Sequence, residues 1–565
     1  MDNQRLLVWA LFLFMGWTTW QAWQRDYAPP PVAPAPTEIA ATGDTADMPA
    51  VAGDDLPTIE AAATDMPQAP VPDAAGDIPS AAELITVSTD VFDITISTLG
   101  GTLQGATLKK YPIEKDPPQL VQLLDTGGSN FALIESGVRA ASDAAEATHL
   151  ATFASDQSAY ELGDADEVVV KLTWSDPSGI AVEKRYHFYR GSYHINLEQV
   201  ISNGSDVEWR GAEYVRIKRR SEEHPRSMFD VDSYSFTGPI VYNGEKSEKL
   251  KRDDLLEDGP VDFTAQQGWF GSIQHHFVRA VIPPSDIDYK YQVAVQGDVA
   301  TSSAIRRSLV EVPPGSAATL PTTLFVGPKL QAQLEEIDES LKLTVDYGWL
   351  TIISQPLFWL LSLVHKYAHN WGVAIIVVTF LIKLAFYKLT EASGRSMAKM
   401  RQIQPRLKAL QDRYKDDKPA LSQAMMDLYK REKVNPAAGC LPILIQMPFF
   451  LAFYWVLLES VEMRQAPFAL WINDLSTRDP YFILPLIMGG AMLVQQKLNP
   501  APTDPVQAKV MQIMPIMFTV FFAFFPSGLV LYWVTNTLLS IAQQWQINRV
   551  VEAEAKAQKG GKKQA

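Results

Sequence analysis

The spacing of hydrophobic residues changes three times along the 565-residue chain. An apolar run within residues 1–26 is followed by a polar stretch at 27–83, and short runs of alternating apolar and polar residues fill 84–330. From 331 onward the apolar residues gather in long runs separated by charged segments. Alternation with a period of two is typical of strands, and long apolar runs are typical of membrane helices. The pattern predicts a multi-domain membrane protein with a large all-β domain and an α-helical membrane core.

The N-terminal apolar run is predicted to be a transmembrane anchor. It lies between Arg5 and Asp26 and ends with Trp17, Trp20 and Trp23. Bulky aromatic residues favour the membrane interface, whereas the cleavage site of a signal peptide requires small residues. We therefore favour an uncleaved signal-anchor over a cleaved signal peptide.

The next two segments differ sharply in composition. Residues 27–83 are mainly Pro, Ala, Asp and Thr, so they bury too little apolar surface to fold and are predicted to form a disordered, acidic tether. The alternation within 84–330 is seen in DITIST, VVVKLTWS, EKRYHFYR and HINLEQVIS, between turn sequences such as GG, NG and DPSG. Many short strands joined by turns predict a large all-β sandwich.

Five apolar helices are predicted to cross the membrane after the anchor, which gives six spans in total. Some of these runs are short against the roughly 17–25 residues expected of a span. The runs lie at 371–388, 440–458, 481–496, 510–525 and 528–547.

The run at 349–364 is predicted to be an interfacial helix within a linker at 331–370. If it crossed the membrane, the basic segment at 390–435 would lie outside the cell membrane, against the positive-inside rule. The helical core at 371–548 is therefore expected to leave both termini in the cytoplasm and the β-domain outside. Residues 549–565 are predicted to form a basic cytoplasmic tail.

The formal net charge of −15 hides a segregation of charge along the chain. No Lys or Arg occurs between Arg25 and Lys109, whereas 390–435 and the C-terminal tail are basic. Such asymmetry is typical of a membrane protein with two different sides. The single cysteine, Cys440, excludes an intramolecular disulfide.

The basic segment is predicted to form a cytoplasmic helical hairpin at 390–433, broken at Asp416–Pro419. Four methionines lie on it, and their flexible side chains suit contact with varied apolar segments of a substrate. Sealing of the hairpin's own interface is an equally good interpretation. These residues are Met397, Met400, Met425 and Met426.

The sequence shows no motif of a nucleotide-binding, zinc-protease or serine-hydrolase site. The neighbours His275 and His276 are expected to point to opposite faces of a strand, and so not to converge on one ligand. We predict no cofactor, no metal ion and no enzymatic activity.

Lys383 lies inside the first apolar run of the core, five residues before Lys388 at its end. A lysine near the centre of a membrane costs about 2.5–3.5 kcal/mol on insertion scales. It either snorkels to the interface or lines a wet cavity, and the residue alone does not decide between the two. Thr379 shares its helix face because it lies four residues earlier.

Polar residues in other helices favour the cavity. Gln446 lies between Pro442 and Pro448 in the second run of the core. Hydrogen bonding between helices explains any one such residue, but together with a positive charge they predict a hydrophilic pocket open to the cytoplasm. A polar stripe along the last run consists of Trp533, Asn536, Ser540, Gln543 and Gln544.

Seven stretches of the chain carry a family resemblance. They are QGWFGSIQHHFVRAVIP, LFVGPKL, DYGWLTIISQPLFWLL, SMAKMRQIQPRLKAL, EKVNPAAGCLPILIQMPFFLAFYWVL, RQAPFALWINDLS and FPSGLVLYWVTN. They resemble the YidC/Oxa/Alb family of membrane protein insertases, in its Gram-negative form. The resemblance implies an insertase and chaperone for inner-membrane proteins, with a periplasmic β-supersandwich and five core helices around a groove open to the cytoplasm and lipid.

The resemblance also assigns a substrate groove. The family's groove arginine matches Lys383, which keeps the charge but lacks the planar fork of arginine. Lys388 stands where the family usually has proline, which strengthens the inner anchor of this helix. The predicted groove residues are Lys383, Thr379, Gln446, Tyr532, Trp533 and Asn536.

The resemblance and the residue pattern together predict a mechanism. A hydrophilic segment of a nascent membrane protein enters the groove, and the adjacent apolar span slides along the third and fifth spans into membrane lipid, without ATP. Expected partners are components of the Sec translocon and, through the basic tail and the hairpin, the ribosome, with no specific nucleic-acid sequence. A secondary transporter with a polar midplane site and a membrane-tethered glycan-binding module are the alternatives.

Overall fold

The computed structural model describes residues 82–114, 119–128, 130–141, 144–221, 235–414, 417–432, 434, 441–498 and 505–561. The predicted signal-anchor and all but the last two residues of the predicted tether lie outside the described residues. The described residues therefore cover the β-domain and the helical core.

Nineteen strands in the described residues form two sheets that pack face to face. One sheet has the order β13-β16-β17-β10-β5-β3-β2-β1-β6, with β18 on β10 and β4 on β3, and the other has the order β12-β11-β14-β15-β19-β9-β8-β7. The strands are β1 Leu84–Ser88, β2 Phe92–Ser97, β3 Leu103–Glu114, β4 Gln119–Leu124, β5 Ala132–Ala140, β6 Ala159–Glu161, β7 Glu167–Ser175, β8 Ile180–Tyr189, β9 His194–Asn203, β10 Trp209–Arg220, β11 Gly238–Tyr242, β12 Ser247–Lys249, β13 Val261–Ala265, β14 Trp269–Gln274, β15 Phe277–Ile282, β16 Tyr289–Gln296, β17 Val299–Arg306, β18 Val310–Val312 and β19 Ala317–Pro328.

The core of the β-domain lies between the two sheets, as the alternation of the sequence requires. In β8 every second residue is buried, and β9 repeats the pattern over most of its length. One buried position of β8 carries a charge, because Lys184 lies in the core and donates to the carbonyl oxygens of Gly100 and Ser136 at 2.6 and 2.7 Å. Burial lowers the pKa of Lys184 to about 7.

Ten α-helices in the described residues include one short helix in the β-domain and nine that follow the last strand. They are α1 Arg252–Glu257, α2 Gln331–Ile337, α3 Thr351–Ala368, α4 Trp371–Ala385, α5 Tyr387–Arg413, α6 Lys418–Arg431, α7 Leu441–Glu459, α8 Ile483–Leu498, α9 Pro505–Phe522 and α10 Ser527–Gly561. A β-sandwich followed by a helical region confirms the predicted combination of fold classes.

Two helices run past the ends that the sequence predicts. The hairpin helix α5 begins at Tyr387, directly after α4, so the predicted span 371–388 is broken at Phe386. Helix α10 continues through the predicted tail to Gly561. The sequence after Asn548 is rich in Ala, Glu and Lys, which are good helix formers, and nothing in it stops the helix before the glycines.

The helices differ in the length and hydropathy that crossing a membrane requires. None of the described helices is by itself long and apolar enough to cross a membrane, whereas the bent pair α4 and α5, inclined at 69°, meets the criterion together. Shorter apolar helices lie at Ile445–Glu459, Ile483–Leu498 and Lys509–Phe522. The six predicted spans stay a prediction.

The C-terminal end of α7 is tied to the β-domain by two imidazoles. His275 Nε2 and His276 Nε2 both donate to the carbonyl oxygen of Leu458, at 2.9 and 3.1 Å, and the two rings stack with centroids 3.7 Å apart. The prediction that these histidines do not converge is wrong. They occupy the two-residue turn between β14 and β15 rather than a strand, so the alternation of strand side chains does not apply to them.

A buried ion pair lies beside this contact. Lys329 Nζ is 3.7 Å from Glu459 Oε2, and the two side chains are only 2% and 8% exposed. Ser235 Oγ donates to the other carboxylate oxygen at 3.1 Å. Burial lowers the pKa of Lys329, while Glu459 opposes that shift by stabilising the ammonium form.

Glu459→Gln is expected to loosen this junction, because it leaves the buried Lys329 ammonium without its counter-charge. Loss of one partner of a buried pair costs about 3 kcal/mol, which corresponds to roughly hundredfold faster exchange of protected amides nearby. Hydrogen exchange at Ser460 to Arg464 measures the effect. Glu339→Gln is the control, because the pair of Glu339 with Lys342 is exposed and contributes little. Equal exchange in both variants would contradict the expected stabilisation.

Candidate functional site

A cavity of about 320 Å³ opens between helices α4, α5, α7, α8 and α10. Half of its eighteen lining residues have hydroxyl or amide side chains outside the aromatic residues, and Lys383 is the cation among them. The lining consists of Lys383, Thr390, Ser393, Gly394, Met397, Gln446, Met447, Phe450, Met492, Gln495, Tyr532, Trp533, Asn536, Thr537, Ser540, Gln543, Gln544 and Ile547.

Lys383 lies in the last turn of α4 and is only 9% exposed. Its Nζ donates to Ser540 Oγ of α10 at 2.8 Å, and no carboxylate of the described residues forms an ion pair with it. Helix α4 begins at a side-chain cap, because Asn370 Oδ1 accepts from the amide of Val373 at 3.0 Å. The ammonium is therefore held by the neighbouring helix instead of extending along α4 toward Lys388, which lies beyond the bend on α5.

Aromatic side chains form one wall of the cavity. The rings of Tyr532 and Phe453 stack with centroids 4.5 Å apart, and Trp533 meets Phe450 edge to face at 4.7 Å. Stacked and edge-to-face ring pairs are favourable aromatic geometries that stabilise the packing beyond the area they bury. The cavity thus has an aromatic side and a polar side.

The polar side follows α10, whose residues at intervals of three and four face the cavity. Ser540 Oγ donates to the carbonyl oxygen of Asn536 at 2.7 Å. Gln543 Nε2 donates to the carbonyl oxygen of Tyr387 at 3.4 Å, which ties α10 to the first residue of α5. Of the predicted groove residues, the structure brings Lys383 and Gln446 together with three from α10, which are Tyr532, Trp533 and Asn536.

Thr379 does not line this cavity. Its side chain is buried, and its hydroxyl donates to the carbonyl oxygen of Ile375 at 2.6 Å. The residue shares a helix face with Lys383, as the spacing predicts, but it lies one turn deeper in the packed core.

The first turns of α5 contribute a part of the lining that the sequence analysis missed. Thr390, Ser393 and Gly394 line the cavity. A Cβ at Gly394 would come within 2.7 Å of Ile547 Cδ1, so this glycine allows α5 to approach α10 closely. The available signal was a group of small residues on the same face of an otherwise basic helix.

The four methionines of the hairpin have three different environments. Met397 lines the cavity, and Met426 is exposed on α6. Met400 and Met425 pack against the small core between α5 and α6, beside Ile403, Leu407 and Leu428. Two methionines thus seal the hairpin's interface, and the other two are open to contact.

Comparison with known proteins covers both the β-domain and the helical core. Residues 84–360 match the family described as YidC periplasmic domain, and residues 363–555 match the family described as 60Kd inner membrane protein. The chain is 46% identical to the membrane protein insertase YidC of Thioalkalivibrio sulfidiphilus, over 98% of this chain and 100% of that protein. This chain belongs to the YidC family of membrane protein insertases.

The chain is also similar to other members of the YidC family. The membrane protein insertase YidC of Methylococcus capsulatus is 44% identical over 98% of this chain and 99% of its own length. A crystal structure of an active YidC insertase with its first transmembrane domain resolved covers 82% of this chain and 94% of that chain, at 18% identity and a TM-score of 0.37. The YidC assignment confirms the family resemblance and the predicted insertase function, and it implies an inner-membrane location with a periplasmic domain.

The geometry of this YidC-family chain predicts which residues a substrate contacts. A photo-crosslinking residue at Gln446, Trp533 or Asn536 is expected to capture a stalled nascent membrane protein, because all three line the cavity. The same residue at Thr379 is expected to capture about tenfold less, because this position is buried in the packed core. Equal capture at Thr379 would contradict the prediction that a substrate enters the cavity.

Proposed function

We propose that this insertase receives the hydrophilic segment of a substrate in the cavity beside Lys383, while the adjacent apolar span passes into the lipid. The observation that carries the proposal is a buried ammonium whose partner among the described residues is a neutral hydroxyl. A charge held in this way is available to a guest, whereas a charge in an internal ion pair is not.

The polar lining supports this use of the cavity. A hydrophilic segment that enters an apolar bilayer loses its hydrogen bonds to water, at a cost of several kcal/mol per unsatisfied group. Amide and hydroxyl side chains of α7, α8 and α10 offer replacement hydrogen bonds, and among the described lining residues no Asp or Glu repels an acidic segment. The cost of moving the segment into the membrane is thereby lowered.

The lipid-facing route is assigned to α9 and α7. Six apolar side chains of α9 are each at least 50% exposed, whereas on α7 the exposed large apolar residue among those described is Met447. Partition of a substrate span contributes about −0.3 to −0.6 kcal/mol per Leu, Ile, Phe or Val, so the route requires no nucleotide. The exposed residues of α9 are Val510, Ile513, Ile516, Met517, Val520 and Phe521.

The proposed topology has six spans, cytoplasmic termini and a periplasmic β-domain. Helix α3 is placed in the outer interface, because its exposed side chains include Ile352, Trp359 and Tyr367, a mixture suited to that region. The basic hairpin of α5 and α6 is then cytoplasmic, in agreement with the positive-inside rule.

A chaperone role and two partners belong to the same proposal. The insertase acts alone or with components of the Sec translocon. The hairpin carries exposed cations such as Arg401 and Lys408, which suit contact with the acidic backbone of ribosomal RNA without sequence preference. The tail lysines at 556, 559, 562 and 563 have side chains outside the described residues.

Substitution of Lys383 tests the charge directly. Lys383→Arg is expected to retain insertion of a small single-span substrate into liposomes that contain the purified protein, because it keeps the positive charge. Lys383→Ala is expected to lower the insertion rate about tenfold, and Lys383→Glu to lower it further by repulsion of acidic segments. Lys388→Ala is the matched control, since this exposed lysine lies outside the cavity. Equal insertion by the three Lys383 variants would contradict the charge-based route.

Deletion of residues 84–327 separates the insertase from a glycan-binding module. The described residues that line the cavity all belong to the helical core, so the shortened protein is expected to retain most of its insertion activity in the liposome assay. The deletion also leaves Lys329 in place to pair with Glu459. Complete loss of activity in a folded, membrane-integrated protein would place the function in the β-domain.

A further inference from the structure

The hydroxyl of Ser540 has a fixed orientation in the cavity wall. Its Oγ–H donates to the carbonyl oxygen of Asn536 at 2.7 Å, one turn earlier in α10. The serine therefore has no proton left to offer to Lys383, and its Oγ accepts from the ammonium at 2.8 Å. Two hydrogen bonds thus hold one hydroxyl between the helix backbone and the charge.

This arrangement holds the charge without neutralising it. An ammonium has three N–H donors, and Ser540 takes one of them. A carboxylate at position 540 would instead form an internal ion pair with Lys383 and compensate most of its positive charge. A neutral acceptor leaves the remaining donors and the whole charge for another group.

We propose that Ser540 is a positioning residue that presents the Lys383 ammonium to carboxylates of the entering substrate segment. The proposal rests on the function proposed above and adds to it the residue that holds the charge in place. Its measurable consequence is that the faster insertion of segments with Asp or Glu, compared with segments of equal length with Asn or Gln, depends on Ser540. A carboxylate forms a stronger, charge-assisted hydrogen bond to Nζ than the serine does. It can accept from an N–H donor that Ser540 does not use.

A lysine depends more than an arginine on a neighbouring residue that fixes the position of its charged group. The ammonium is a compact charge on a flexible stem, whereas guanidinium is a rigid fork that orients itself by two parallel hydrogen bonds. Lys383 without Ser540 is free to turn toward other acceptors of the lining, which include Gln446 and Asn536. The serine fixes the ammonium at the α10 side of the cavity.

The test compares two single-span substrates that differ only by Asp or Asn in the translocated segment. Insertion rates into liposomes that contain the full-length protein give an acid preference, defined as the ratio of the Asp rate to the Asn rate. Ser540→Ala is expected to lower this preference about tenfold, in line with the loss of one hydrogen bond to a charged group. Ser540→Thr keeps the hydroxyl and is expected to restore the preference. Ser540→Asp pairs with Lys383 and is expected to lower it at least as far as alanine.

Thr535→Ala is the matched control for damage to the helix. Its hydroxyl donates to the carbonyl oxygen of Leu531 at 2.8 Å, in the same one-turn bond as that of Ser540, but the residue does not line the cavity. We expect it to leave both rates unchanged. If Thr535→Ala lowers the acid preference as much as Ser540→Ala does, the effect comes from the helix and the proposal is overturned.

Lys383→Ala separates this proposal from the proposed function. If Lys383→Ala loses the acid preference while Ser540→Ala keeps it, Ser540 does not position the charge and only the present inference fails. If both variants keep the preference, the charge-based route fails and this inference fails with it. If both lose it and the double variant loses no more than either one, the two residues act as one unit.

Discussion

The helical core is built around a buried positive charge that has no ion-pair partner among the described residues. Lys383 is buried, and its ammonium is held by the hydroxyl of Ser540. A buried charge is very costly in a tightly packed apolar interior, and hydrogen bonds and local water lower that cost. The polar cavity around Lys383 is therefore the condition under which the charge persists, and the aromatic packing of Tyr532 and Trp533 keeps that cavity from collapsing.

The residues of the cavity differ in how readily the sequence reveals them. Gln446 and Asn536 stand out because they interrupt apolar runs, where any polar side chain requires a partner. Ser393 and Gly394 do not stand out, because they lie in a basic amphipathic helix in which small polar residues are ordinary. They reach the cavity only because the chain bends by 69° between α4 and α5, at Phe386, with neither proline nor glycine to mark the position.

In the β-domain, too, the sequence predicts local features better than contacts between distant segments. Alternation predicts the buried face of strands such as β8, whereas the pairing of β5 with β10 joins segments far apart in the chain and leaves no local signal. For His275 and His276 the error came from a boundary, since a strand that ends at Gln274 places both residues in a turn. A turn brings adjacent side chains together where a strand separates them, so these two turn residues reverse the prediction.

The two ends of α7 differ in how firmly their polar groups are bound to the rest of the protein. At its C-terminal end, the carbonyl oxygen of Leu458 accepts from two imidazoles, and the carboxylate of Glu459 pairs with Lys329. Toward its N-terminal end, Gln446 instead faces a cavity with room for further hydrogen bonds. Paired buried charges oppose opening, since separation leaves both ions desolvated. Motion that admits a substrate is therefore expected at the cavity end of α7, while the junction with the β-domain keeps the opposite end closed.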